Sequence, residues 1–221
     1  VAGEAASKSG ADLTVHGLID RLVERYSSGP HKLTAMRARE EYFDRAGKVF
    51  DDDAELFEGR MASFLEWYVL ERPFGSTLSD LAPVVRALGE PGWTDGERRG
   101  LAHLASSHRS LFELHSVADR VLEIEDLVGG ARFSVTERRK TVGFSVGDVF
   151  EARVLWDGFL PIFGRTFLFH PPDAREAVLD AVERAVEGGV AREEILFQLS
   201  RHHIRWHRLG HLGAAKIYRD A

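Results

Sequence analysis

The chain has 221 residues, a formal charge of −6, 44% hydrophobic and 29% charged residues, and no cysteine. This is the composition of an ordinary globular protein able to bury a core, as one large domain or two small ones. It excludes disulfides, thiolate zinc sites, iron–sulfur clusters and cysteine nucleophiles. Glu66, Glu71, Pro161 and Arg165 interrupt the longest apolar runs before any reaches the roughly 18 residues of a membrane span.

In chain order, residues 1–11 (VAGEAASKSGA) are small and polar, lack the apolar stretch of a secretory signal, and read as a flexible lead. Leu13, Leu18, Leu22 and Val23 recur near helical spacing until Gly29-Pro30 stops them, predicting a helix between Asp12 and Ser28. A second helix is predicted from Leu33 to Phe50, with Met36, Phe43, Ala46 and Phe50 on one side and Arg37, Glu40, Glu41 and Asp44 on the other. After Asp51-Asp52-Asp53, whose carboxylates can cap free amides, Leu56, Phe57, Met61, Phe64, Leu65 and Tyr68 trace the strongest stripe. Trp67, Val69 and Leu70 widen it, which places this helix at the centre of a bundle, and Pro73 ends it. A short helix ends at Gly89, and Thr94 with Glu97 stands in capping-box register for another through about His108.

Near Ser110 the period changes. LFELHSVA, RVLEIEDLV, ARFSVTER, DVFEARVLW and RTFLFH are short, rich in β-branched and aromatic residues, and separated by glycine turns. Leu122 and Ile124 alternate with Glu123 and Glu125, and Phe150, Ala152, Val154 and Trp156 alternate with Glu151, Arg153 and Leu155. Five such strands in about sixty residues predict a small antiparallel sheet or barrel of SH3 or OB size, with charged positions facing outward. Phe133, Phe144 and Phe150 are read as filling its core, since so small a sheet needs aromatics inside. PPDARE then restores helical chemistry, with Asp173 as cap, and Ala177, Val178, Ala181, Val182 and Ala185 form a buried side up to Gly188-Gly189.

The last predicted helix carries SRHHIRWHRLGHLG, Ser200 to Gly213. On a wheel, Ile195, Leu199, His202, Trp206 and Leu209 gather on the core side, His203, His207 and His211 on a flank, and Arg201, Arg205 and Arg208 on a third stripe. Histidines at i, i+4 and i+8 are weak candidates for a metal, because the glutamate of the HExxH pattern is missing and the neighbouring arginines repel a cation. The favoured reading is a packing flank, with a pH-sensitive role beside it.

The mean charge argues against bulk nucleic-acid binding but hides an asymmetry. Residues 201–221 carry a local +4, while Glu40 to Glu58 hold eight carboxylates against Arg45 and Lys48. The arginine stripe is therefore expected to pair with segment 40–58, or else to meet an anionic partner. His103, His108 and His115 with Ser106, Ser107 and Glu113 offer the ingredients of a nucleophile site without a G-x-S-x-G elbow, and the glycines match neither a P-loop nor GxGxxG.

The segment LEIEDLVGGARFSVTERRKTVGFSVGDVFEARVL, preceded by FLEWYVLERP and SLFELH, resembles an uncharacterised group of bacterial proteins with a helical first half and a small β module. The matching positions are Phe64, Trp67, Asp126, Leu127, Gly130, Phe133, Val135, Glu137, Gly147, Asp148, Ala152, Arg153 and Val154. Some relatives in that group carry a cysteine-rich SEC-C-type metal motif, which this cysteine-free chain lacks. The resemblance implies architecture and no activity.

The sequence thus predicts an α+β protein: a flexible lead at 1–11, a helical region at 12–109, a small β-barrel-like module at 110–170, and two C-terminal helices at 171–221 packing on the rest. The expected function is that of a non-enzymatic cytoplasmic binding or adaptor protein. It needs no cofactor or membrane and contacts a protein partner or a second copy through the β module or the C-terminal helices, with Arg201, Arg205 and Arg208 as partner-binding residues. The alternatives are a nucleic-acid-associated protein using the same arginines and the barrel, and a metal-dependent hydrolase using the C-terminal histidines.

Overall fold

The computed structural model describes residues 14–50, 53–75, 80–137, 143–209 and 211–219. The lead at 1–11 and Asp51 and Asp52 lie outside them. The protein is α+β, with helices at both ends of the chain and a five-stranded barrel between them.

The first half forms α1 (Val15–Ser27), α2 (Lys32–Ala46), α3 (Ala54–Leu70), α4 (Pro83–Gly89) and α5 (Asp95–Ala105). Local chemistry sets their ends. Thr14 accepts the Gly17 N–H at 3.2 Å at the start of α1. Thr94 and Glu97 complete both halves of the capping box on α5. The second helix stops at Ala46 rather than Phe50 because Gly47 adopts φ +96. A Cβ at Gly47 would stand 3.0 Å from Ile204 Cδ1, so this glycine both turns the chain and admits a later helix. Asp53 does not cap α3. Its backbone (φ −95, ψ 30) is not extended, so its side chain turns back to accept the Phe50 N–H at 2.8 Å. Leu18, Leu22, Tyr26, Tyr42, Phe64, Trp67 and Leu104 fill the core between these helices, with α3 at the centre.

The strands β1 (His108–Ala118), β2 (Val121–Asp126), β3 (Arg132–Thr136), β4 (Val149–Trp156) and β5 (Pro161–Phe169) close in the order β1-β2-β3-β5-β4. Every pairing is antiparallel except β3–β5, which closes the barrel in parallel through Thr136 and Ile162. The eleven-residue β1 pairs with β4 through residues 108–113 and with β2 through residues 112–118, with a bulge between Leu114 and Ser116. Phe112, Leu114, Leu122, Ile124, Val135, Phe150 and Phe163 fill the interior, and Phe133 and Phe144 pack against them. Asp126 organises the β2–β3 turn: Oδ1 accepts the Val128 N–H at 2.9 Å and the Ser110 hydroxyl at 2.5 Å, and Gly130 closes the turn at φ +72.

A 3-10 turn at Pro172–Ala174 separates the barrel from α6 (Arg175–Glu187), so Asp173 sits inside that turn instead of capping the helix. Then follow α7 (Arg192–Arg208) and a third, short helix, α8 (Ala214–Arg219). Leu111 and Val149 of the barrel share a core with Val178, Val182, Ile195, Leu199, Ile217 and Tyr218.

Three outward charged positions, on β1 and β4, are buried. Arg109 on β1 and Glu151 and Arg153 on β4 point away from the barrel interior but into the helical half. The Arg109 Nε–H donates to Glu151 Oε1 at 2.7 Å, and its Nη1 reaches Glu71 Oε2 at 3.4 Å. Arg153 pairs with Glu71, lies 3.4 Å from Glu66 Oε2, and donates to Ser107 Oγ at 3.1 Å. Burial works against ionisation of Glu71, yet Arg153 and Arg109 hold its carboxyl below the ordinary range. Burial likewise opposes the charge on Arg109, but Glu151 and Glu71 raise its affinity for the proton. Opposite Arg153 the register of β5 shifts, so that Gly164, Arg165 and Thr166 stand against one residue of β4. This bulge frees the Arg165 N–H, which Glu66 Oε1 accepts at 3.1 Å. A Cβ at Gly164 would lie 3.1 Å from Glu66 Oε2.

Breaking a buried pair by removing one partner leaves an uncompensated charge and costs about 3–5 kcal/mol. Arg153→Met is therefore expected to lower the urea-unfolding free energy by about that amount. The double variant Glu66→Gln/Arg153→Met, which keeps an acceptor for the Arg165 N–H but removes one orphaned charge, is expected to recover part of the loss. An equal or larger loss in the double variant would contradict the coupling.

Candidate functional site

Helix α7 does not present the surface expected from its sequence. Its buried residues are Ile195, Leu196, Phe197, Leu199, Ser200, His203 and Ile204, while His202 and Trp206 are half-buried. The buried stripe is rotated toward His203 because α7 packs against four elements, α2, α6, α8 and β1. The helix ends at Arg208, so His211 lies in the following turn and not on a flank with His203 and His207. The His203 and His207 rings are 6.4 Å apart, one buried and one exposed. Among the described residues no three histidine or carboxylate side chains converge as a metal site would require.

Two of the three arginines are tied into the chain. Arg208 donates through Nε to Asp53 Oδ1 at 3.2 Å and through Nη2 to Asp53 Oδ2 at 2.5 Å and Lys48 O at 2.6 Å, with its guanidinium 4.6 Å from the Phe50 ring centre. The Arg208 hydrogen bond holds the Asp53 carboxyl below its ordinary range. Arg201 donates to the Arg45 carbonyl and to Glu194 Oε1 at 3.1 Å. Arg45 itself reaches Glu193 and Glu194. Arg205 is exposed and makes no ion pair among the described residues.

The serine and histidine candidates near residue 110 also disperse. Ser106 donates to the Ala102 carbonyl, Ser107 accepts from Arg153, and Nε2 of His115 lies 3.0 Å from Glu125 Oε2. Arg175 donates to Glu113. Nε2 of His108 lies 2.8 Å from Asp126 Oδ2, whose partner Oδ1 is held by Ser110. Both side chains thus serve the carboxylate, and no imidazole stands between serine and acid as nucleophile activation requires. Burial alone would raise the Asp126 carboxyl, but hydrogen bonds from His108, Ser110 and the turn amides lower it to about 2. The outer side of β2 and β3 presents Glu123, Glu125, Arg132 and Ser134, with Arg132 and Ser134 bonded to the two carboxylates. This face carries no exposed aromatic, unlike the stacking platforms on which single strands lie.

Two features were not singled out from sequence. The first is an open groove of about 480 Å³ between α2, the 47–50 segment and α3, lined by Met36, Phe43, Val49, Phe50 and Phe57. Met36 is 52% exposed and Phe50 59%, and Leu33 continues the apolar strip one turn along α2. The signal was present in the predicted stripe of α2, which sets Met36, Phe43 and Phe50 on one side. The turn at Gly47 ends the helix early and leaves that side uncovered.

The second is a buried group of aromatic and histidine rings where β5, α7 and α8 meet. His170 Nδ1 lies 2.8 Å from the Tyr218 hydroxyl, and the His170 and His203 rings are 6.1 Å apart. Nε2 of His170 and Nδ1 of His203 have no hydrogen-bond partner among the described residues. Burial, then the neighbouring His203 and His202, lower the proton affinity of His170 to about 3. Burial, then Arg60 and His207, lower that of His203 to about 4. Both rings are therefore neutral in the folded protein at pH 7.

A histidine that titrates near 6.5 unfolded and near 3–4 folded binds its proton more tightly in the unfolded chain, so stability falls as pH drops below about 6.5. Asp126, lowered from 3.8, and Glu71, lowered from 4.5, lose their contributions only at more acid pH, which leaves the range between about 6.5 and 4.5 to the histidines. Each adds a slope of about 1.4 kcal/mol per pH unit within its window. Urea unfolding followed between pH 7 and 4.5 is expected to show this decline. His170→Leu is expected to reduce the slope by about 1.4 kcal/mol per pH unit, and an unchanged slope would contradict the reading.

Comparison of the chain with protein-family models, curated proteins and solved structures finds no match.

Proposed function

We propose that this chain is a non-catalytic binding protein that seats an amphipathic helix of a protein partner in the groove between α2 and α3. The groove carries the reading: large apolar side chains are normally covered, and here Met36, Phe50 and Phe57 remain open around one concavity. Its size and its apolar floor, formed by Phe43 against Phe64 and Tyr42, suit the apolar stripe of a docked helix.

Charge selects the partner. Among the described residues the charged side chains that line the groove are Arg39, Glu40, Asp44 and Lys48. Asp53 is taken by Arg208, Asp44 by Lys48 and Glu41 by Arg72, whereas Glu40 and Glu58 have no ion pair among the described residues. Lys48 is already spent on Asp44, and the Arg39 guanidinium lies 5.9 Å from the Phe43 ring centre. Glu40 and, on α3, Glu58 thus stand without ion pairs against Arg39, and on that balance this reading makes the polar face of the partner helix basic. The expected interaction with Arg201 and Arg208 is set aside in this reading, because both guanidinium groups are engaged within the chain.

Two labelled amphipathic peptides with the same apolar stripe, one with a lysine-rich and one with a glutamate-rich polar face, test the proposal by fluorescence anisotropy. The basic peptide is expected to bind and the acidic one not. Met36→Glu is expected to weaken binding at least tenfold, about 1.4 kcal/mol, while shifting the thermal midpoint by less than about 2 °C. Binding of neither peptide, or indifference to Met36→Glu, would refute the reading. A concentration-dependent dimer abolished by Met36→Glu in sedimentation equilibrium would instead identify a second copy as the occupant.

A further inference from the structure

A second cleft, of about 530 Å³, lies between α1, α5 and the β4–β5 turn, with Val15, Leu18 and Ile162 in its lining. A Cβ at Gly100 would overlap Leu18, so this glycine lets α1 approach α5 closely below the cleft. One lip is the β4–β5 turn. Asp157 Oδ1 accepts the N–H groups of both Phe159 and Leu160 at 2.8 Å, the Asp157 N–H donates to the Leu160 carbonyl at 3.2 Å, and Gly158 adopts φ +99. A turn fixed by three hydrogen bonds is preorganised. It holds Phe159 85% exposed, between the part-exposed Trp156 and Leu160. Nothing in the fold requires an aromatic side chain at that position.

The opposite lip is α5, where Arg99 and His103 stand one turn apart on the cleft side. Neither makes a hydrogen bond or ion pair among the described residues. His103 Nε2 lies 3.9 Å from where a Cβ on Gly158 would be, so the imidazole stands directly beside the turn. The acids in the lining, Glu97 and Asp157, and the nearby Asp20 are each engaged by other groups. Glu97 is held by Arg21 and the Thr94 capping box, Asp20 by Arg165, and Asp157 by the turn amides. The cleft thus combines an exposed aromatic ring on a hydrogen-bonded turn, two unpaired nitrogen donors and an apolar floor.

We infer that this cleft binds a nucleotide, with the base stacked on Phe159 and the phosphate held by Arg99 and His103. The phenyl ring supplies a π face that any base can use, and a guanidinium is the side chain best matched to phosphate oxygens. A 530 Å³ cleft is within the range of pockets that enclose a small ligand. The same chemistry serves a free nucleotide or one nucleotide of a single strand, and the experiment separates the two.

AMP and inorganic phosphate are titrated by calorimetry, and fluorescein-labelled oligoadenylate of eight nucleotides by anisotropy, both in 50 mM salt. Binding of AMP identifies the free nucleotide, and binding of the oligomer without AMP identifies the single strand. In either case Phe159→Ala and Arg99→Gln are each expected to weaken binding at least tenfold, while Arg205→Gln, on another exposed surface, leaves it unchanged. Phe159 and Arg99 are exposed, and circular dichroism of the variants verifies the fold. Absence of binding by AMP and oligomer, phosphate binding as tightly as AMP, or affinity unchanged in Phe159→Ala would overturn the inference.

Discussion

The fold depends on one contact between charged groups that the sequence places far apart. Arg109 and Arg153, on neighbouring barrel strands, meet Glu66 of the central helix α3 and Glu71 at its C-terminal cap, with Glu151 beside them. Charges removed from water are tolerated only when paired and hydrogen-bonded. The β5 bulge supplies part of that satisfaction, since it turns the Arg165 N–H toward Glu66 and sets Gly164 where a Cβ would press on the carboxylate at 3.1 Å. The pairing therefore specifies more than attraction. It fixes the register of β5 against β4 and the rotation of α3 against the barrel. Phe197 of α7 extends the contact, because the Arg45 and Arg109 guanidinium groups lie 4.1 and 5.6 Å from its ring centre.

With the helical half and the barrel joined in this way, the open surfaces are the ones that this contact leaves over. α3 turns Trp67, Tyr68 and Phe64 into the core and leaves Phe57, near its start, beside the uncovered side of α2. The β4–β5 turn, carried away from the charged contact on the same two strands, is brought against α1 and α5. The two concavities differ in chemistry. One is lined mainly by apolar side chains, with Arg39, Glu40, Asp44 and Lys48 around them, and the other joins an exposed ring to unpaired nitrogen donors. The face of the barrel on β2 and β3 is neither, since Glu125 and Glu123 accept hydrogen bonds from Arg132 and Ser134 on the same surface.

Much of the architecture was legible in the sequence because it rests on local rules. The capping box at Thr94 and Glu97, the stripe of α3, the alternation of Leu122 and Ile124 with Glu123 and Glu125, and the turn glycines each declare themselves within a few residues. The same alternation misled at Glu151 and Arg153. Period two tells which side of a strand a residue faces, and it does not tell whether water or α3 lies on that side. The helical wheel erred at His203, His207 and His211 because a wheel assumes that the helix continues, and α7 ends at Arg208. Asp53 shows a third limit. It stands where a capping carboxylate belongs, but its backbone conformation sends it to Phe50 and Arg208 instead. The groove on α2 escaped notice because an apolar stripe reads as core wherever it occurs, and only the turn at Gly47 uncovers it.

The central claim is that the charged contact makes helices and barrel one cooperative unit. Native-state hydrogen exchange measured across a series of low urea concentrations tests it most directly. Amides of α3, β4 and β5 are expected to converge on one opening free energy with one denaturant dependence. Exchange of the β4 and β5 amides through an opening distinct from that of α3, with a smaller denaturant dependence, would contradict it.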